Sequence, residues 1–336
     1  MPMLFVATNG LSVWTSTDLG VTLARMPTST GLYSGSRVWS LLETSRGLMA
    51  GTDSGIYLWD SAGARWSGLA SPNGAQIVTA LAMSPANPDV ILAGSQPGAL
   101  YRTEDAGQTW KKLEVPIKPF VSSGFFEDPR SIAAGVRAAR PEARHWTRVT
   151  QIVFDTRDPL LVWAGVEIDG AWRSRDGGIT WTSCSNGLIS RDVHGFAVAG
   201  GSSRTVFATT NEGLHTSRDD GESWSFQPID SAWQYTRSIN QQDGGRAGMF
   251  LTNGNGAPGT TGRLFRSRDR GTTWTNVALP GSVESSLYFL ATHPSNPDLI
   301  FAAATLGQLF RSDDGGVSWT SLKQRLNEIR AIAWMP

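Results

Sequence analysis

Two residue types suited to proton transfer, Glu167 and His194, lie 27 positions apart in this chain of 336 residues. Imidazole titrates near neutrality and a partly buried carboxyl is raised toward it, so such a pair beside cationic groups makes an acid/base constellation. The plainer reading is an ordinary hydrogen-bonded Glu and His. Five arginines recur in comparable short runs: Arg37 in SRVWSLL, Arg148 in TRVTQIV, Arg191 in SRDVHGF, Arg237 in QYTRSIN and Arg330 in EIRAIAW. A guanidinium is a rigid fork of donors matched to carboxylate or phosphate, so converging arginines make an anion site. Taken singly, each pairs just as well with a neighbouring acid or carbonyl. Asn211 adds a polar contact, and Trp39, Trp146, Trp233, Tyr235 and Tyr288 offer rings for stacking on a sugar or for packing. His145 with Glu167 and His194 is a conceivable metal set, but no ligand spacing supports it, so neither metal nor other cofactor is expected.

What must position these residues is a repeat. Aligning the 14 tryptophans exposes an octapeptide: Ser or Thr, any residue, Asp, any residue, Gly, any residue, Thr or Ser, then Trp. Five copies are complete: TEDAGQTW (Thr103 to Trp110), SRDGGITW (Ser174 to Trp181), SRDDGESW (Ser217 to Trp224), SRDRGTTW (Ser267 to Trp274) and SDDGGVSW (Ser312 to Trp319). STDLGVTL (Ser16 to Leu23) departs only at the last position, and WDSAGARW (Trp59 to Trp66) keeps only Gly63 and Trp66. These seven copies end 43 to 50 residues apart except for one gap of 71, close to the roughly 40–50 residues of a four-stranded propeller blade. The octapeptide is suited to a turn. Gly tolerates positive φ, Asp and the hydroxyl bond nearby backbone N–H groups, and Trp packs between blades.

Each unit reads as four short strands separated by Gly, Pro, Asn and Asp, for example IVTALAMSP, VILAGS and ALYRT before the octapeptide. The first unit has no run corresponding to IVTALAMSP, whereas the chain ends on an orphan run, IRAIAWMP. The segment 329–336 is therefore expected as the innermost strand of the first blade, a closure that removes exposed sheet edges. The predicted fold is an all-β, seven-bladed β-propeller spanning 1–336 as one domain.

The octapeptides resemble the Asp-box (BNR) repeats of sialidases, sortilin-type receptors, xyloglucan-active glycoside hydrolases and photosystem II assembly factor-like proteins. The unit RVTQIVFDTRDPLLVWAGVEIDGAWRSRDGGITW is similar in style to stand-alone bacterial BNR/YVTN-like propellers. The resemblance covers essentially the whole chain and implies the fold more than the function. It suggests a hydrolase- or lyase-like enzyme acting on an anionic sugar, or a non-catalytic propeller docking an acidic protein partner. Typical sialidases differ, having six blades and an R-I-P motif that this chain lacks.

In propellers the entries to the innermost strands, and the turns between second and third strands, surround one mouth of the central channel. That puts the five arginines on one face, with Asn9, Asp53, Gln96, Glu167, Asn211 and Asn253 among them. Glu167 is expected to face Arg148 of its own blade, and His194 aligns with Thr79 and Thr150 one blade apart.

The long gap holds an insertion, 115–146, between the third and fourth blades. It carries Pro116, Phe120, Phe125, Phe126 and Pro129 among basic residues, with Ser131 to Arg140 as a short helix ended before Pro141. It is expected either as a lid over the mouth or as a packed surface excursion.

With 29 Lys+Arg against 29 Asp+Glu the net charge is zero, which argues against nucleic acid or anionic lipid as a partner. The expected ligand is an anionic small molecule or a carbohydrate. The single Cys184, the lack of a signal-like N-terminus and the absence of a long apolar run point to a cytoplasmic protein with no membrane contact.

Overall fold

The computed structural model describes residues 2–72, 77–122, 144–200, 203–242 and 247–336. Seven four-stranded antiparallel sheets are arranged as the blades of a propeller. Their innermost strands are Ile329–Met335, Val38–Thr44, Ile77–Met83, Arg148–Phe154, Val193–Ala199, Tyr235–Gln241 and Leu287–Ala291, for blades one to seven. The C-terminal strand pairs with Met3–Thr8 in a register running from Met3 opposite Met335 to Thr8 opposite Ile329. The ring is thus closed by the last strand completing the first blade. Among the described residues no helix is long and apolar enough to cross a membrane.

Second strands such as Val162–Glu167 and Met249–Gly254 are buried on both faces and read as near-continuous apolar or small residues. Fourth strands are two to four residues long and largely exposed, which keeps each outer edge short. Between adjacent sheets the octapeptide tryptophans pack. Trp224, buried, lies with its ring centroid 5.9 Å from that of Phe196, in a cluster that also holds Trp163 and Val193.

The octapeptide turns share one hydrogen-bond pattern. In the copy starting at Ser217, the Ser217 hydroxyl donates to Asp219 Oδ1 at 2.7 Å and accepts the Gly221 N–H at 2.7 Å. Asp219 in turn accepts the Ser223 N–H at 3.0 Å and its hydroxyl at 2.6 Å. Asp220 and Gly221 both take left-handed φ, 60° and 91°. The glycine is required twice over in the next copy: φ is 83° at Gly271, and a Cβ there would stand 2.3 Å from Phe207 Cζ of the preceding blade. The degenerate copy, 59–66, forms a tight hairpin instead, with Trp59 opposite Trp66 and Asp60 accepting the Ala62 and Gly63 N–H groups.

The insertion leaves the propeller through a two-stranded hairpin, Phe120–Ser122 against Arg144–Trp146. Phe125, Phe126, Pro129, the helix expected over 131–140 and the His145 side chain lie outside the described residues.

Candidate functional site

Every innermost strand carries a register shift near its start. One residue in each strand (two in blade six) is left unpaired there: Arg330, Trp39, Thr79, Thr150, His194, Arg237 with Ser238, and Tyr288. A bulge re-aims its side chain, and all of these residues line the throat of the central channel. In blades three to five the bulged side chain also links neighbouring sheets. Thr79 donates to Val149 O at 2.7 Å, Thr150 to Val193 O at 2.8 Å, and His194 places Nδ1 2.6 Å from Thr236 O. A carbonyl only accepts, so Nδ1 of His194 carries a proton.

Above the throat opens a cavity of about 690 Å³. It is off-centre: among the described residues, blades four to seven and blade one line it, and none from blades two and three does. Arg148, Arg237 and Arg330 enter it, as do Glu167, Asp192, His194, Asn211, Tyr235 and Tyr288.

Glu167 ends its strand as the direct partner of Arg148, whose Nη2 lies 3.0 Å from both carboxylate oxygens. Arg330 is ion-paired with Glu328 and stacks over Trp39 at 4.4 Å, while Arg148 lies 5.1 Å from the same ring. Burial lowers the Arg330 pKa, with Glu328 opposing. Asp192 faces His194 Nε2 at 3.4 Å. Burial pushes the Asp192 carboxyl up, but His194, Arg237 and Arg148 outweigh it and hold it below the usual carboxylate range. The Tyr235 and Tyr288 hydroxyls are 3.0 Å apart, and burial drives the Tyr235 phenol well up, so it stays protonated.

The sequence-derived candidates thus divide. Glu167, His194, Arg148, Arg237, Arg330, Asn211, Tyr235 and Tyr288 converge on the cavity. Arg37 does not: it is exposed on blade two, outside the cavity lining, with its backbone N–H bonded to Asp53. Arg191 is exposed on the loop before the blade-five strand and also lies outside the lining. Trp39 sits lower, in the throat, beneath the two guanidiniums. Trp146 is 53% exposed on the insertion hairpin, packs edge-on against Phe120 and does not line the cavity. The mouth is also less cationic than its arginines suggested, because Glu167, Asp192 and Glu328 match Arg148, Arg237 and Arg330 in number.

Two acids were missed by sequence reasoning. Asp192 in SRDVHGF and Glu328 in EIRAIAW both stand two residues before a bulged residue, a shared offset that is the available signal. Glu167, Asp192 and His194 bring potential metal-ligating atoms within 4.8 Å of one another. Arg148 and Arg237 beside them oppose a further cation.

No family model matches the chain. A curated xyloglucanase from a Paenibacillus species is 26% identical, over 74% of this chain and 27% of that protein. The chain therefore spans about a quarter of that relative's length. Among solved structures, the Niastella koreensis GH74 enzyme is similar with a TM-score of 0.63 at 20% identity, over 84% of this chain and 45% of that one. The GH74 xyloglucanase from Xanthomonas campestris gives 0.58 at 20% identity with the same coverage. YCF48 bound to D1 peptide gives 0.51 at 13% identity, over 84% and 80%. At these identities the structural likeness is one of fold, a propeller shared with xyloglucanase-type enzymes and with YCF48.

Proposed function

We propose that the mouth cavity binds a carbohydrate or a small carboxylated molecule, a sugar acid combining both features. The observation that carries this reading is the convergence, on one cavity of about 690 Å³, of guanidiniums, carboxylates and tyrosine rings from five blades. Small-ligand sites commonly span roughly 300–1,000 Å³ and combine apolar rings with a few convergent polar groups. Trp233 and Tyr235 supply ring surface for a sugar, and Glu167 and Asn211 supply acceptors for its hydroxyls. The xyloglucanase relative supports a carbohydrate as the ligand class.

Hydrolysis is the second reading, favoured by the closeness of Glu167, Asp192 and His194, whose functional atoms lie within 4.8 Å of one another. Retaining glycosidases hold two carboxyl groups about 5–5.5 Å apart, one of them protonated. Here Asp192 is held ionised and Glu167 is ion-paired with Arg148, so the carboxyl pair does not divide into one acid and one base. Binding is therefore the better-supported activity. Docking of an acidic protein segment is weaker, because Arg148 and Arg330 already have carboxylate partners.

The test is calorimetric titration of xyloglucan oligosaccharides and D-glucuronate into the wild type and Trp233→Ala, with a reducing-end assay on the same oligosaccharides. Saturable binding weakened by the substitution, without product, supports the reading. Product formation abolished by Glu167→Gln elevates hydrolysis, and the absence of binding by every probe sinks both.

A further inference from the structure

We infer that Arg237 is the anchor for a single ligand carboxylate, which makes the cavity selective for monoanionic, hydroxylated molecules over neutral sugars and phosphorylated ones. This rests on the mouth cavity being a ligand site.

The argument begins with how the three guanidiniums are used. Arg148 is bound by Glu167 and Arg330 by Glu328. Arg237 makes no ion pair or side-chain hydrogen bond among the described residues; its Cζ lies 4.7 Å from the centre of the Tyr288 ring. Arg237 is half-buried, and its guanidinium nitrogens keep access to the cavity, so its five N–H donors are available to an acceptor that enters there. The bulge at Thr236/Ile239 places Arg237 where it borders both the cavity and the throat beneath. Its planar fork, backed by a tyrosine ring, is the geometry that receives a carboxylate bidentately.

The surrounding acids set the charge of the ligand. Glu167, Asp192 and Glu328 line the same cavity. Glu167 and Glu328 are taken up by Arg148 and Arg330, and Asp192 stands against His194, so Arg237 is the lining guanidinium with no direct ion pair among the described residues. A carboxylate adds one negative charge to a lining whose three acids and three arginines already balance, and it pairs directly with Arg237. A phosphate monoester brings close to two and meets Asp192 with no second free cation. Ligand hydroxyls then donate to Asn211 and Glu167 on one side, and the Tyr235 and Trp233 rings border the other.

The experiment compares D-glucuronate and D-galacturonate with their methyl esters, with D-glucose and with glucose 6-phosphate. Each is titrated into the wild type, Arg237→Lys, Arg237→Gln, and Arg268→Ala in an exposed octapeptide turn, with melting recorded for every variant. The wild type is expected to prefer a uronate to its ester, and to glucose 6-phosphate, by at least about tenfold, the scale of a charge-assisted hydrogen bond. Arg237→Gln erases that preference, Arg237→Lys retains part of it, and Arg268→Ala matches the wild type. Equal binding of acid and ester by the wild type, a preference for the phosphate, or a preference surviving in folded Arg237→Gln overturns the assignment of Arg237 while the carbohydrate site stands. Silence from every probe overturns both.

Discussion

His194 and Thr236 join the fifth and sixth blades: the imidazole Nδ1 lies 2.6 Å from the Thr236 carbonyl oxygen. The same link is made by a threonine hydroxyl at Thr79 and again at Thr150. His194 therefore has a structural role in addition to its place beside the cavity. His194→Ala is expected to cost about 1–3 kcal/mol by orphaning a buried carbonyl, and His194→Thr to recover most of that loss. Urea denaturation of the three proteins checks this; equal destabilisation by Thr and Ala would mean that the link contributes little.

The octapeptide carboxylates give the fold an acid-sensitive component. Hydrogen bonds from Ser16 and Thr22 hold Asp18 at a pKa of about 2, those from Thr103 and Thr109 do the same for Asp105, and those from Ser223 and Ser217 for Asp219. A carboxylate depressed on folding contributes stability that is fully present above its unfolded pKa of about 3.9 and is lost as pH falls through the folded value. Melting temperature should fall steeply between about pH 4 and pH 2. Asp105→Asn with Asp219→Asn should flatten that slope, and an unchanged slope would assign it to other groups.

A second window belongs to His215. Burial lowers its pKa to about 4, and its Nε2 accepts the Ile189 N–H at 3.2 Å, a bond that requires the unprotonated nitrogen. The folded pKa lies below the unfolded value of about 6.5, so its contribution is complete above that pH and declines as pH falls toward 4. His215→Gln should remove the part of the pH dependence lying between those values. Stability curves measured at pH 7, 5.5 and 4.5 test it, and parallel curves for the variant and wild type refute it.

Removing 329–336 deletes the strand that pairs with Met3–Thr8 and with it the buried Ile329, Ile332 and Trp334. The truncated chain exposes an unpaired inner edge in the first blade. It is expected to aggregate or to melt well below the full chain, as read by size-exclusion chromatography and tryptophan fluorescence. A soluble monomer of unchanged stability would contradict closure by this strand.

Residue spacing by itself determined the architecture. The octapeptides, the four-strand period and the orphan C-terminal run are local patterns, and the turn chemistry of Ser, Asp and Gly acts within eight residues, so seven blades and their closure were legible without coordinates. The opposition of Arg148 and Glu167 was legible as well, because it follows from one hairpin. Which arginines meet, and what they meet, was decided by the tertiary structure. Arg148 and Arg37 each stand two residues before a bulge, yet only Arg148 reaches the cavity, because the cavity lies off-centre against blades four to seven and one. Asp192 and Glu328 joined it, and Arg237 was left without an ion pair among the described residues, through contacts between blades far apart in sequence. A repeat fixes where each strand begins. The side chains that converge across the channel depend on the direction given by each bulge and on the neighbours that other blades bring to the same point.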